Sequence, residues 1–473
     1  MRKSQKSVTL TVKPKHNMKP NNRLLSVVFF LIALFFCFSF ASTTNERLRL
    51  AAELEHSIQH QLLNKWYPAA VDSQFGGYLS NFTYDFRAEE QQEKMIVSQA
   101  RHVWTASKAA TYYPENTIYL DIAKHGFHFL MEKMWDQHYG GFYTLVDRRG
   151  DVTQSGIEVK TAYGNAFAIY GLAAYYQASQ DTAALHLAQK AFHWLEQYSH
   201  DPVHKGYFQS MARDGSPLLD RSGLPSTSQI GYKDQNSSIH LLEAFTELYQ
   251  VWPDPLVGER VKEMLYLIRD TMVTEEGYLQ LFFWPNWDPI SYRDSTDQLI
   301  EQHHALDHVS YGHDIETAYL MLEAAHVLGI SDPKIMEVGK KMVDHSLKYG
   351  WDEGLGGFYD GGYYFKGDQI PTIVRDTKNW WAQAEGLNTL LIMADYFPDD
   401  DMDYFGKFKK QWEYINTYII DQEHGEWFAG GLDKQPQFKT SKKAHIWKTP
   451  YHNFRSLANC VSRLRSNPES TPL

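Results

Sequence analysis

Only two cysteines occur in the 473 residues, Cys37 and Cys460. Cys37 falls in an N-terminal segment set apart below, so the rest of the chain holds Cys460 alone. That excludes an intramolecular disulfide and any thiolate metal cluster. The fold must be held by packing. Basic residues are also scarce: 46 Lys and Arg face 57 Asp and Glu, and seven of the 46 lie in the first 41 residues, which carry no acid. The remainder is therefore strongly anionic, with a net charge near −18, which argues against nucleic acid as a partner. No linker rich in Pro, Ser or Gly and no low-complexity run divides residues 45–465. So long a chain exceeds one ordinary hydrophobic core, and the expectation is a single catalytic-size domain built by repetition.

Residues 1–41 read as an export signal. Arg2, Lys3, Lys6, Lys13, Lys15, Lys19 and Arg23 precede the 18-residue run "LLSVVFFLIALFFCFSFA", with Ser39-Phe40-Ala41 as a small-residue cleavage site. The alternative is an uncleaved signal anchor, since a run of this length just spans a bilayer. Membrane contact is expected only in that case. Phe36 before Cys37 argues against lipoprotein processing. Either way the remaining chain is expected in the periplasm or outside the cell.

A glycine followed by an aromatic recurs along the chain. Gly77, Gly141, Gly206, Gly277, Gly357 and Gly425 mark six units spaced by 64 to 80 residues. Each marker precedes a segment that is apolar almost all round after a polar start, among them "TAYGNAFAIYGLAAYY" and "GHDIETAYLMLEAA", the signature of a helix surrounded by protein. Before each marker lies an amphipathic helix; in "GERVKEMLYLIRDTMV" Val261, Met264, Leu265, Ile268 and Met272 keep one face. Short turns such as "YYPEN", "VWPDP", "ISDPK" and "YFPDD" join inner helix to outer helix and imply antiparallel neighbours. The pattern predicts an all-α (α/α)6 barrel with short β-hairpins at the pocket mouth, where all six inner helices begin. An open α-solenoid is the structural alternative.

The polar residues that open the inner helices should crown that mouth. His240, His313 and His452 hold comparable places in three repeats, each followed at i+3 by a charged residue: Glu243, Glu316 and Arg455. One histidine at a helix start is unremarkable as a structural residue; three gathered at one end of a repeat point to a site. Arg101 adds a fixed cation, and Asn236, Tyr163, Trp380, Trp381 and Trp447 supply polar and stacking surface suited to a sugar ring. His304 and His308, four apart in "EQHHALDHVSYGH", match metal spacing, but with no Cys and no HExxH nearby a solvated or capping role is the expectation. Asn81 and Asn236 match the glycosylation sequon by chance.

"SYGHDIETAYLMLEAA", "NSSIHLLEAFTELYQVWPD", "KNWWAQAEGL" and "WKTPYHNFRSL" closely resemble the cellobiose 2-epimerases, including mannobiose-active members, within the N-acylglucosamine 2-epimerase superfamily. The resemblance runs from about residue 45 to 465. It implies the (α/α)6 barrel, no metal, no organic cofactor, and a small β-1,4-linked oligosaccharide, cellobiose or mannobiose, inverted at C2 of its reducing-end sugar. It also implies roles: His452 and His313 as the pair that removes and returns the C2 proton, and His240 as the residue that helps open the ring with Asn236 beside it. Arg101 resembles the arginine that binds the reducing-end oxygens, and Glu316 the partner that orients a catalytic histidine. Tyr163, Trp381 and Trp447 match aromatic positions that hold the sugar. One departure is "NSSIH", where relatives usually carry "NTHLH", so that Ser238 replaces a second histidine.

Three other readings stay open on sequence. An aldose–ketose isomerase of the same family returns the proton to C1 and differs little in sequence, although "WKTPYHN" sits nearer the epimerase pattern. A glycoside hydrolase on the same barrel would draw two carboxylates from Asp314, Glu316, Glu243 and Glu385, leaving the three histidines unexplained. A non-catalytic sugar-binding protein would need no proton transfer at all.

Overall fold

A computed structural model describes residues 45–218 and 232–466, with positions 9 and 11. The expected export segment lies outside the described residues. The chain divides at residue 50. In the first unit positions 45–50 are helical; in the second, twelve helices alternate. The outer ones are α1 (51–66), α3 (118–134), α5 (Thr182–Tyr198), α7 (255–272), α9 (Pro333–Gly350) and α11 (404–419). The inner ones are α2 (Ile96–Tyr112), α4 (Ala162–Ser179), α6 (Gln235–Val251), α8 (Tyr311–Val327), α10 (Trp380–Tyr396) and α12 (Tyr451–Arg465). Each inner helix packs on the next and α12 packs back on α2. The ring is closed, which removes the solenoid alternative. Among the described residues no helix is long and apolar enough to cross a membrane.

Inner and outer helices differ as their burial demands. In α4 every residue from Ala162 to Tyr175 is buried, whereas α9 buries Ile335, Met342, Val343 and Leu347 and leaves its lysines outward. The marker glycines sit in tight turns between outer helix and pocket mouth, all with positive φ, from 65° at Gly77 to 101° at Gly277. At Gly141 a Cβ would also stand 2.7 Å from the Trp194 ring, so both backbone and space require glycine there. Beyond three markers the chain makes a narrow hairpin, with Val146 opposite Val152, Met211 opposite Pro217 and Phe283 opposite Pro289. The first strand of each also pairs antiparallel with the two residues that lead into the preceding inner helix: Lys94–Met95, Lys160–Thr161 and Lys233–Asp234. The short sheets thus tie consecutive repeats together.

A buried ion pair, not anticipated from sequence, fastens five of the six marker turns. An aspartate shortly after the outer helix accepts two backbone N–H groups of its own turn, as Asp201 does from Val203 (2.9 Å) and His204 (3.1 Å). A lysine two residues before the next inner helix then bonds it: Lys94 to Asp72 (2.9 Å), Lys160 to Asp136 (3.0 Å), Lys233 to Asp201 (2.8 Å) and Lys378 to Asp352 (2.8 Å). In the sixth repeat Lys443 reaches Asp421 from further upstream. The lysines also cap carbonyls of the turn, Gly76 and Gly140 among them, so the buried charges are paired and hydrogen-bonded, as burial demands. The fourth repeat departs. Thr274 stands where the aspartate should be and Val309 where the lysine should be, and Val309 packs with Tyr278, Tyr311 and Tyr364 in an apolar cluster.

A second link joins four of the turns to their inner helices. The fourth helical residue takes an N–H just after the marker, one residue on in three turns and two in the fourth: Gln99 from Tyr78 (2.7 Å), Asn165 from Phe142 (2.9 Å), Gln383 from Phe358 (2.9 Å) and Asp314 from Leu279 (2.8 Å). Asp314, expected from sequence as a polar residue of the mouth and a candidate hydrolytic carboxylate, is therefore a structural fastener. It is wholly buried, and burial pushes its pKa well above the usual carboxylate range, as suits a carboxyl with no cation beside it.

Lys233→Met leaves Asp201 buried without its cation, and urea unfolding of the variant should show a loss of about 3–5 kcal/mol. Against the burial that would raise it, Lys233 and the two N–H groups hold Asp201 down to about 2, and Asp352 is held likewise by Lys378. A depressed carboxylate stabilises above its unfolded pKa near 3.9 and loses that contribution as pH falls toward 2. Thermal unfolding scans should therefore be little changed by these groups above pH 5 and fall steeply below pH 4.

Candidate active site

The N-termini of the inner helices surround a cavity of about 210 Å³ lined by Arg101, Tyr163, Asn236, His240, His313, Glu316, Trp380, Trp381, Trp447 and His452. Ten of the eleven residues expected from sequence meet there, drawn from all six inner helices and the loop before the last. The eleventh, Glu243, lies one turn behind His240 and holds it from below.

Each histidine is fixed through Nδ1. His240 Nδ1 lies 2.8 Å from Glu243 Oε2, His452 Nδ1 lies 2.8 Å from Glu385 Oε1, and His313 Nδ1 lies 2.7 Å from the hydroxyl of Ser310, the residue just before α8. In all three rings Nε2 is the atom left for a ligand. The three do not share one helical register: His452 is the second residue of its helix, His313 the third and His240 the sixth. Trp381 stands between two of them, its ring centroid 4.7 Å from that of His313 and 5.8 Å from that of His452.

Glu316 does not orient a histidine directly. It stands 3.7 Å from His452 Nδ1 and makes its closest contact, 2.6 Å, with the Arg455 guanidinium. The direct partner is Glu385, which the sequence placed only in the hydrolytic alternative. Arg455 also bonds Glu385 at 2.7 Å and, with the Tyr451 hydroxyl, closes on Glu243. Arg455 was visible in sequence only as the charge three residues after His452. Its role needs carboxylates from α6, α8 and α10 brought together.

Among the described residues one cluster has the donor set for a metal: Glu316, Glu385 and His452, with ligand atoms within 4.8 Å of one another. The Arg455 guanidinium already bridges the two carboxylates, so their negative charge has its cation. His304 and His308 each turn Nδ1 to the carbonyl three residues earlier, Glu301 at 3.1 Å and Ala305 at 3.0 Å. Those contacts fit the capping role expected of them.

The electrostatics favour neutral imidazoles. Burial brings His313 down to about 3, with the charges of His240 and His308 adding to it. Burial, then Arg101, then Arg455, hold His452 well below the usual imidazole value. Glu243 is drawn down to about 2 by Arg455 and His240 against its burial. Glu385 moves the other way: burial raises it, and the charges of Glu316 and Glu243 add to that rise against the pull of Arg455. Arg101 has no carboxylate within ion-pair distance among the described residues. Its guanidinium lies 4.3 Å over the Phe167 ring and 5.0 Å over that of Tyr451 and bonds the Tyr163 hydroxyl (3.1 Å) and the Trp447 carbonyl (3.3 Å). A buried cation without a counter-charge is poised for negative charge that develops on a ligand. Two neutral bases beside one such cation can move a proton at a carbon next to a carbonyl.

Ser238, the departure noted in the sequence, turns its hydroxyl to the Asp234 carbonyl at 2.7 Å and is not among the residues lining the cavity.

Comparison with known proteins agrees with this geometry. Cellobiose 2-epimerase of Bacteroides fragilis is 28% identical, covering 86% of this chain and 97% of that protein. D-mannose isomerase of Marinomonas mediterranea is 22% identical over 82% and 91% of the two chains. Among solved structures, cellobiose 2-epimerase from Bacillus thermoamylovorans superposes with a TM-score of 0.76 at 26% identity, covering 87% of this chain and 99% of that one. The sequence pattern of N-acylglucosamine 2-epimerase (GlcNAc 2-epimerase) matches residues 77–456, and the chain belongs to that family.

Proposed function

We propose that the protein is a carbohydrate 2-epimerase that inverts C2 of the reducing-end sugar of a β-1,4-linked disaccharide, cellobiose or mannobiose. The observation that carries this reading is the pair His313 and His452. His452 is buried and His313 half-buried, each is held toward its neutral form, each presents Nε2 to one cavity, and both border the same Trp381 ring. His240, held by Glu243, assists ring opening with Asn236 alongside. One of the pair then takes the C2 proton, the enediolate forms against Arg101, and the other returns a proton to the opposite face. A C2 proton and an imidazole differ by about ten pK units, on the order of 14 kcal/mol. General base catalysis supplies only about 10²- to 10⁴-fold. Stabilising the enediolate by Arg101 and the converging helix N-termini must supply much of the rest. The cavity is smaller than the roughly 300–1,000 Å³ of typical ligand pockets, which suits one sugar ring inside and the second toward Trp380 and Trp447.

Aldose–ketose isomerisation is the second reading, supported by the similarity to D-mannose isomerase. In it the proton returns to C1. The product then is a ketose.

Export of the protein is part of the proposal, supported by the basic residues and apolar run of 1–41. The substrates are then sugars met in the periplasm or outside the cell. Fractionating cells and sequencing the mature N-terminus test it, and a cytoplasmic protein that keeps Met1 overturns it.

Incubation in D2O with cellobiose, mannobiose and mannose, followed by NMR, separates the chemistries. Epimerisation places deuterium at C2 of an intact disaccharide whose reducing end has changed; a labelled C1 in a ketose means isomerisation, and released monosaccharide means hydrolysis. His313→Asn and His452→Asn should each lower kcat by about 10²- to 10⁴-fold while the sugar still binds. Because protonation of either imidazole requires acid well below 6.5, the acid limb of kcat/KM should lie below that value. Dialysis against EDTA should leave the rate unchanged, since Arg455 supplies the charge that Glu316 and Glu385 require.

A further inference from the structure

The barrel axis holds a second cavity at its other end. Where the active-site pocket is lined by the beginnings of the inner helices, this one, about 430 Å³, is lined by their later turns, including Trp104, Tyr170, Glu247, Tyr319, Glu323 and Ala458. It is roughly twice as large as the first and falls within the usual range for small-molecule sites. It shares Gln177, Gln250 and Glu323 with a wider opening at the helix C-termini, so it is reached from the face opposite the active site.

The lining has a consistent chemistry. Trp104 stacks on Tyr170 with centroids 5.1 Å apart and planes within 13°, and the Tyr319 ring adds a further apolar surface. Glu247 is paired with Lys108, which also bonds Gln177 at 2.8 Å. Glu323 has no ion pair among the described residues, and its burial and the Glu247 charge push it up to about 7. The Lys108 ammonium and the side-chain amides of Gln177 and Gln250 add donors to the wall and rim. A ligand that satisfies this lining must offer oxygen atoms to those donors, hydrogen atoms to the two carboxyls, and apolar C–H faces to the rings. Hydroxyl groups on a ring do all three. An organic anion is opposed by Glu247 and Glu323, and an ammonium ion by Lys108.

We propose that this rear cavity, walled by Trp104, Tyr170 and Tyr319 and edged by Glu247, Glu323 and Arg455, is a second binding site for a neutral carbohydrate. Arg455 extends from this wall to Glu316, which lines the active-site pocket, so one ion pair connects the two chambers. The site is inferred from its own lining and does not rest on the epimerase reading.

Saturation-transfer NMR of the full chain with methyl α-D-mannopyranoside and methyl β-D-glucopyranoside tests it. These glycosides have no free reducing end, so turnover cannot consume them and the result is independent of the catalysed reaction. Saturation transfer should persist when the front pocket is impaired by Trp447→Ala. It should be lost when the rear cavity is filled by Ala458→Trp or its rim is closed by Gln250→Trp. Gln250 is exposed, so that variant keeps the test valid should Ala458→Trp fail to fold. No transfer in the unmodified protein overturns the proposal, as does transfer abolished by Trp447→Ala or transfer unaffected in the folded rear-cavity variants.

Discussion

The arrangement of the catalytic end depends on one guanidinium. Arg455 stands between Glu243, Glu316 and Glu385, three carboxylates that come from three different helices and are almost wholly buried. Without a cation among them they would repel one another in a medium that screens little. With it, Glu243 stays ionised beneath His240 and Glu385 stays within hydrogen-bond reach of His452. The same residue sits on α12, the helix that closes the ring against α2. Closing the barrel and holding His240 and His452 thus draw on the same helix.

A contrast between the two buried cations explains how the site is divided. Arg455 is saturated with carboxylates and serves to position. Arg101 has none among the described residues and rests on aromatic faces and neutral oxygens. Cation–π and hydroxyl contacts offset part of its desolvation without cancelling its charge, so its field remains available to a ligand. The same field helps keep His452 neutral. One side of the pocket therefore holds charge fixed, and the other leaves it to be answered by substrate.

The repeats show how a scaffold is kept regular around so uneven a site. Four of them use the same aspartate, the same pair of backbone N–H groups and a lysine two residues before the inner helix. The fourth repeat replaces that pair by Thr274 and Val309 and fills the place with tyrosine rings. Its inner helix is α8, which carries His313, and Ser310, which bonds that histidine, comes immediately after Val309. A buried ion pair and an apolar cluster of similar volume are close in free energy, so the exchange is compatible with the same turn geometry.

The range of each interaction sets how much of it was legible in sequence. Helix placement, the six-fold repeat and the meeting of His240, His313 and His452 could be read, because apolar periodicity and glycine turns are local properties and repetition carries them round the barrel. Asp314 stayed open for the same reason: at the head of α8 it reads like the other polar residues of the mouth, and only Leu279, 35 residues away, shows that it fastens a turn. Glu385 and Arg455 lay in plain view but without assignable roles, since the contacts that define them join helices 67 and 139 residues apart. By itself the sequence determined which segments are inner helices and which polar groups they bring to one end. Tertiary structure alone decided which carboxylate holds which imidazole, which cation is left unpaired, and that a second chamber lies behind the first, because charge pairing and enclosed space depend on distances that exist only once the ring has closed.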